Sequence, residues 1–141
     1  MGLWNRAKLL EKEKIEIVKV DLGNDDFVYV RQMSGRERDR FEQSLVKAVK
    51  DEKGEIKTYE NSMEDFRAKL AEVTLCDEKG NLLLKPGDYH LLSQNMTAKT
   101  LEKIVNEAQK LSKITEEDKE KLLKNSKADL ADNSNLSSVE N

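Results

Sequence analysis

The fold is decided by residues 14–30, KIEIVKVDLGNDDFVYV. Apolar and charged residues alternate through most of this stretch, as they do in strands that bury only one face. The turn-forming run 23–26 separates the two alternating segments, so the stretch predicts an N-terminal β-hairpin. Ile17 and Val18 are both apolar, which shifts the alternation by one residue, and we expect a β-bulge between them.

A helix is predicted directly after the hairpin. Ser34 and Glu37 have the spacing of a capping box, in which each side chain accepts a hydrogen bond from the backbone N–H of the other residue. Apolar residues then recur at helical spacing and form one stripe: Phe41, Leu45, Ala48 and Val49. We therefore expect a helix over residues 35–50, with Gly54 ending it in the left-handed conformation.

Two more helices are predicted between this helix and residue 112. The first begins at Ser62 or Met63, and its expected buried face is Phe66, Leu70, Val73 and Cys76. The second is capped by Thr97. The residues expected on or beside its apolar face are Thr100, Leu101, Ile104, Val105, Ala108 and Leu111.

Two shorter segments complete the predicted fold. Leu82–Leu84 stands just before the turn-forming residues 86–88, so it forms either a short strand or a buried loop that closes the core. Thr115 and Asp118 have capping-box spacing, which predicts a short fourth helix that carries the leucine pair 122–123.

These elements define an α+β fold, mainly helical, in which an N-terminal β-hairpin precedes three to four amphipathic helices. Of the 141 residues, 37% are hydrophobic and 38% are charged, which allows one small core. We expect an N-terminal arm at residues 1–13, a single domain at 14–125 and a disordered polar tail at 126–141. The tail is rich in Asn, Ser and Asp, and it cannot bury enough apolar surface to offset the entropy of ordering.

Composition and charge narrow the functional class. The formal net charge is -3, and a general nucleic-acid binder needs a basic field to contact phosphates. No apolar run approaches the roughly 18–20 residues of a membrane span, and no signal peptide is visible. A single cysteine excludes an internal disulfide and fits a reducing compartment. We therefore expect a soluble, intracellular protein.

Catalytic side chains are few. Cys76 and His90 form the one available thiol–imidazole combination. Cys76 continues the apolar face of a predicted helix, where a free cysteine is most often a small buried hydrophobe. His90 follows a Pro-Gly-Asp-Tyr turn and is expected at the surface. The sequence therefore predicts no enzyme activity, no cofactor and no metal site.

The candidate protein-binding residues are of two kinds. The apolar candidates are Trp4 in the N-terminal arm, Phe27 and Tyr29 in the hairpin, and Leu82 and Leu83 in the leucine run. The charged candidates are Arg31, Arg36, Arg38 and Arg40, since arginine is enriched at protein interfaces. Each candidate also has a purely structural explanation. Trp4 would belong to a frayed terminus, and Phe27 and Tyr29 to ordinary strand packing. Leu82 and Leu83 would close the core, and the arginines would lie on a solvated helix face.

Several passages of the chain resemble one protein family. Residues 27–42, FVYVRQMSGRERDRFE, look like the passage V-x-V-R-x-[ML]-[ST]-G-x-E-R-D-x-[FY]-E of tail assembly chaperones from long-tailed bacteriophages and prophages. Residues 70–81, LAEVTLCDEKGN, are similar to a helix of that family that ends in CDE-x-G-x. Two later segments, 101–112 and 118–126, are similar to its closing passages. The linker 51–61 matches nothing in the family.

The resemblance implies a function without covalent chemistry. Members of the family bind the long tape-measure protein, and in some systems the tail-tube protein, and keep it soluble until tube subunits polymerise. They act in the cytoplasm of the bacterial host and are absent from the mature virion. Self-association on the client is also expected, because many copies are needed to coat one long chain.

Two other functions fit parts of the sequence. A small bacterial adaptor or regulatory domain, associated with DNA, would use the four candidate arginines as a contact stripe. The acidic residues between them and the net charge of -3 argue against it. A cysteine-dependent enzyme would need a reactive, exposed Cys76 thiol with His90 as its base.

Overall fold

The computed structural model describes residues 2–115 and 117–121. In chain order its elements are α1 (Arg6–Leu10), β1 (Ile17–Gly23), β2 (Asp26–Arg31), α2 (Gly35–Ser44), β3 (Val46–Lys50), β4 (Ile56–Asn61), α3 (Phe66–Glu72), β5 (Leu75–Cys76), α4 (Tyr89–Asn95) and α5 (Ala98–Ser112). This mixture of helices and antiparallel strands confirms the α+β class.

β1 and β2 pair antiparallel around a two-residue turn. Asn24 and Asp25 form this turn with φ values of 53° and 65°, a backbone conformation that Asn and Asp tolerate better than most residues. A turn with positive φ at both positions matches the right-handed twist of the strands, which explains why the run 23–26 brings them together.

The bulge predicted between Ile17 and Val18 is wrong. The register is continuous there, and the irregularity lies between Asp21 and Gly23. Val18 packs against the core, whereas Ile17 points to the opposite side of the sheet. A Cβ added to Gly80 would lie 3.0 Å from Ile17 Cδ1, so the loop at Gly80 covers Ile17. Both faces are therefore apolar at this end of β1, and no slip in register is needed.

β2 is the central strand of a three-stranded sheet in the order β1–β2–β5. Helix α5 packs across β1 and β2, and α3 packs against α5. The buried cluster between them consists of Val20, Val30, Phe41, Leu45, Phe66, Ala68, Leu70, Ala71, Leu75, Leu101, Ile104, Val105, Ala108 and Ile114. Most of the apolar faces predicted for the helices therefore do form the core.

The helix predicted over residues 35–50 is wrong in its last part. Helix α2 ends at Ser44, and β3 follows it and pairs antiparallel with β4. Ala48 lies seven residues after Phe41, a spacing that also suits a helix, but it shares one face of strand β3 with Val46. Residues 46–50 form a strand because β4 pairs with them, and the Ile, Thr and Tyr residues of β4 favour strands. Gly54, with φ 82°, lies in the β3–β4 turn and does not end a helix.

The later helices differ from the predictions in two places. Phe66 and Leu70 are buried on α3 as expected, but that helix ends at Glu72 and Cys76 belongs to strand β5. The prediction contains no helix after Pro86-Gly87-Asp88, whereas the structure has α4 there. Helix α5 begins as predicted, with the Thr97 hydroxyl accepting a hydrogen bond from the Thr100 backbone N–H.

The predicted capping box at Thr115 is present. The Asp118 backbone N–H donates to the Thr115 hydroxyl, and the Thr115 backbone N–H donates to the Asp118 carboxylate. These hydrogen bonds lower the pKa of Asp118, and residues 117–121 are helical. The leucine pair 122–123 and the tail 126–141 lie outside the described residues. Among the helices that the structure describes, none has the length and apolarity needed to cross a membrane.

The contact between Gly80 and Ile17 can be tested by adding a methyl group. Gly80→Ala forces a side chain into φ 90° and against Ile17, whereas Gly54→Ala has a similar φ of 82° and open space around it. We expect both variants to lose about 1–2 kcal/mol of unfolding free energy because of positive φ, with the larger loss at Gly80. Urea denaturation measures the difference, and equal losses would contradict this packing.

Candidate protein-binding surface

The side of the three-stranded sheet opposite to Val20 and Val30 is called here the outer sheet face. Lys19 is directly opposite Tyr29 in the register, and Tyr29 is directly opposite Cys76. Cys76 in turn forms a β-bridge with Leu82. Residues directly opposite each other point to the same side of a sheet. Lys19, Tyr29, Cys76 and Leu82 therefore form one row across the outer sheet face.

Phe27 extends this row into an exposed aromatic patch. It lies two residues before Tyr29 on the same side of β2, and the two rings meet edge to face with centroids 5.6 Å apart. The Lys19 ammonium lies 4.2 Å from the centroid of the Phe27 ring. Phe27 remains 47% exposed. Rigid aromatic side chains of this kind offer a large contact area at a low cost in conformational entropy.

The leucine run adds to the exposed surface and does not close the core. Leu82 is 37% exposed and Leu83 is 59% exposed, so the buried loop expected as one alternative is wrong for both residues. The segment folds back on β5, and the Leu83 backbone N–H donates to the Leu75 carbonyl. This pairing fixes the backbone beside the sheet without covering the two side chains. Leu84 alone in the run packs against the core.

Cys76 is buried within the row, with 1% of its surface exposed. Burial raises the pKa of its thiol, and the positive charge of Arg31 acts in the opposite direction. A thiol with a raised pKa stays protonated at neutral pH, when it is a poor nucleophile. His90 is exposed on α4, and its ring packs on Tyr89 with centroids 4.0 Å apart. Cys76 thus has the environment predicted for a small buried hydrophobe.

Arg31 and Glu37 join β2 to α2. The Arg31 guanidinium forms an ion pair with Oε2 of Glu37, and only 11% of the Arg31 side chain is exposed. Glu37 Oε1 also accepts the backbone N–H of Ser34, while the Ser34 hydroxyl accepts the backbone N–H of Glu37. The predicted capping box is therefore present, and its carboxylate additionally neutralises Arg31. Arg31 serves the structure more than it serves a contact surface.

The other candidate arginines are split between two roles. Arg38 Nε lies 2.8 Å from Glu42 Oε1, and its Nη1 donates to the Ser112 carbonyl at 2.9 Å. Arg36 and Arg40 are exposed on α2. A contact stripe of four free arginines is therefore not formed, because Arg31 and Arg38 are neutralised by carboxylates of the same chain.

Trp4 lies away from the core in the N-terminal arm. Its side chain is 51% exposed, with the Lys8 ammonium 5.4 Å from the ring centroid. Helix α1 buries none of its own residues, although Asn5 caps it by accepting the backbone N–H of Lys8. Residues 6–10 of the arm are thus helical, and Trp4 remains a separate candidate contact outside the sheet.

Two exposed apolar regions were missed by the sequence analysis. A groove of about 480 Å³ lies beside α4 and is lined in part by Leu84, Leu92 and Met96, with Leu91 63% exposed. The second region is the β3–β4 ribbon, where Tyr59 is 57% exposed. The signal for α4 was the pair of leucines behind a Pro-Gly-Asp turn, and the signal for the ribbon was the β-forming composition of residues 56–61.

A groove of about 360 Å³ between α3 and α4 combines polar and apolar groups. Asp65 precedes α3 in the left-handed conformation, with φ 59°, and its carboxylate accepts a hydrogen bond from the Ser93 hydroxyl on α4. Met63, Phe66 and others provide the apolar lining. The polar contact ties the two helices together, so we assign this groove a structural role.

No family model matches the chain, and comparisons with curated proteins and with solved structures also find no match. The resemblance to tail assembly chaperones therefore rests on the sequence passages alone.

The burial of Cys76 predicts slow reaction with a thiol reagent in the folded protein. We expect native labelling to be at least about 100-fold slower than labelling in denaturant, because the thiol must be exposed by local unfolding before it reacts. Leu83→Cys supplies an exposed thiol on the neighbouring segment as the control, and it should react at once. Rapid native labelling of Cys76 itself would favour the cysteine-enzyme hypothesis.

Proposed function

We propose that this protein is a non-enzymatic tail assembly chaperone of a long-tailed phage or prophage. In this function it binds the tape-measure protein in the host cytoplasm, and keeps it soluble until the tail tube polymerises. The tail-tube protein is a second client in the same pathway. The proposal rests on the resemblance of residues 27–42 and of the later passages to that family, and on the exposed patch that the first passage carries.

The observation that carries the proposal is the exposure of Phe27 beside the partly buried Tyr29 on the outer sheet face. Phe27 is 47% exposed, although the adjacent inner residue Val28 packs against the core. An aromatic pair at the surface of a small, highly charged protein marks an interaction site more often than an isolated exposed leucine does. The tape-measure protein, the client of such a chaperone, is long and largely helical. The apolar stripes on its helices need an apolar protein surface that shields them from water.

The surroundings of the patch suit a solubilising function. Lys19 and Asp21 lie beside the aromatic rings on β1, and Asp77 lies next to Cys76. Hydrogen bonds with Asn81 lower the pKa of Asp77, which keeps its carboxylate charged at neutral pH. Charges of both signs thus surround a small apolar centre, as in protein interfaces with an apolar core and a polar rim.

Phe27→Ala tests this surface directly. Loss of the ring should weaken binding to the tape-measure protein encoded beside this gene by about tenfold or more, because central aromatic contacts dominate interface energies. Fold stability should change by less than about 0.5–1 kcal/mol, since the side chain is half exposed. Co-expression, pull-down and the soluble fraction of the client are the measurements.

Leu91→Ala is the matched control for that experiment, because Leu91 is 63% exposed but lies on α4, outside the outer sheet face. It should leave client binding and solubility unchanged. An equal loss of client binding in both variants would mean that the client does not bind specifically at the outer sheet face. If the wild-type protein binds neither the tape-measure protein nor the tail-tube protein, the proposed function is wrong.

A further inference from the structure

We infer that the exposed side of α5 binds the acidic turn between β1 and β2 of a second copy of this chain. The exposed side of α5 carries four lysines, called here the lysine stripe: Lys99, Lys103, Lys110 and Lys113. The acidic turn is residues 21–26. This inference deepens the proposed function, because it gives a surface to the self-association expected on a long client, and in that sense it rests on that function. Its experiment needs no client, so the two can fail separately.

The lysine stripe follows from the spacing of residues along α5. Positions 99, 103, 106 and 110 are three or four residues apart, so their side chains share one side of the helix. Lys113 is the C-cap residue, and it lines one groove with Asn106 and Lys110. Asn106 and all four lysines are exposed. The buried residues of α5 pack towards the sheet, so the stripe lies on the side of α5 that faces away from the sheet.

The charge on this side of α5 is positive overall. Glu107 forms an exposed ion pair with Lys110, with Oε1 and Nζ 3.3 Å apart. Glu102 is exposed one turn after Lys99. Residues 98–113 thus contain four lysines and two glutamates, in a chain whose formal net charge is -3. An acidic segment of a partner is therefore attracted to this side of α5.

A buried amide next to the stripe has no partner in the single chain. Gln109 is 9% exposed, and its Nε2 is buried without a hydrogen-bond acceptor among the residues that the structure describes. Gln109 also lines the groove of about 620 Å³ to which Lys110 and Lys113 contribute. A buried N–H group without an acceptor destabilises a fold, and a carboxylate from a partner removes that penalty. The groove therefore combines two cations with a donor that still needs an acceptor.

The turn between β1 and β2 carries the complementary charge. Residues 21–26 include Asp21, Asp25 and Asp26 and no basic residue. All three aspartates are exposed, and none of them forms an ion pair within the described part of the chain. Asp25 lies at the tip of the turn, beyond the last strand pair, which joins Gly23 and Asp26. Its carboxylate is the acceptor that we expect Gln109 of the second copy to bind.

The two surfaces lie on different parts of the fold, so the contact joins copies head to tail. The lysine stripe faces away from the sheet on the helical side, whereas the acidic turn is at one end of the sheet. A contact between two different surfaces leaves one lysine stripe and one acidic turn unused in a pair, so further copies can add to it. Addition of this kind suits a client that is one long chain and needs many copies to cover it.

Charge-reversal variants test the contact in the full-length protein. The helix variant carries Lys103→Glu and Lys113→Glu. The turn variant carries Asp21→Lys, Asp25→Asn and Asp26→Lys, with Asn at position 25 because it tolerates positive φ. Sedimentation velocity in about 20 mM salt should show self-association of the wild type that weakens as salt is added, because salt screens the attraction. Each variant alone should associate at least about tenfold more weakly, since like charges then meet.

Mixing the two variants is the decisive measurement. The reversed stripe of the helix variant then meets the reversed turn of the turn variant, and their unchanged surfaces also match. Association of the mixture should therefore return to within about threefold of the wild type. The control carries Lys53→Glu and Lys57→Glu, two exposed positions between residues 51 and 61 that change the net charge as the helix variant does. It should associate within about twofold of the wild type.

Gln109→Met separates a binding role of the amide from a structural one. The substitution removes the unpartnered amide, so the urea midpoint should not fall, whereas self-association should weaken at least about fivefold. The inference is overturned by a wild type that is monomeric at every concentration in low salt, by a mixture that does not associate, or by a control as weak as the helix variant. Client binding by a wild type that does not self-associate would leave the proposed function standing.

Discussion

The structure depends on the two faces of β2. Val30 is completely buried against the helices, while its neighbour Tyr29 lies on the outer sheet face. β2 is also the strand that pairs with both β1 and β5, so its backbone is held from two sides. A strand fixed in this way can present Phe27 to solvent, next to the partly buried Tyr29, without losing its register, because slipping by one residue would expose the valines.

The junction between β2 and α2 explains how arginines are tolerated near the N-terminus of α2. Cations near a helix N-terminus oppose the helix dipole. Arg31 is neutralised by Glu37, which also completes the capping box with Ser34. Arg38 donates to the Ser112 carbonyl, at the end of α5. The C-terminus of that helix attracts a positive charge, so Arg38 is unfavourable for its own helix dipole and favourable for that of α5. Residues 31–38 thus connect the strand, its following helix and the last long helix.

Local chemistry made part of this fold predictable. The turn at Asn24 and Asp25, the capping boxes at Ser34 and Thr115, and the start of α5 at Thr97 all depend on residues a few positions apart. The ribbon could not be found in that way, because residues 46–50 suit a helix until β4 provides a partner strand. The candidate surface was predicted residue by residue, but its arrangement was not. Leu82 joins Tyr29 only through the pairing of both segments with Cys76.

The two sheets of this chain expose different chemistry, and the proposed function uses only one of them. The outer sheet face presents side chains from a strand that pairs with both of its neighbours, whereas the β3–β4 ribbon is a separate two-stranded sheet with no buried residue. A two-stranded ribbon gains little rigidity from its own pairing. Phe27 stands instead on a backbone that the core already fixes, so a partner of this face would lose little free energy to ordering the strand.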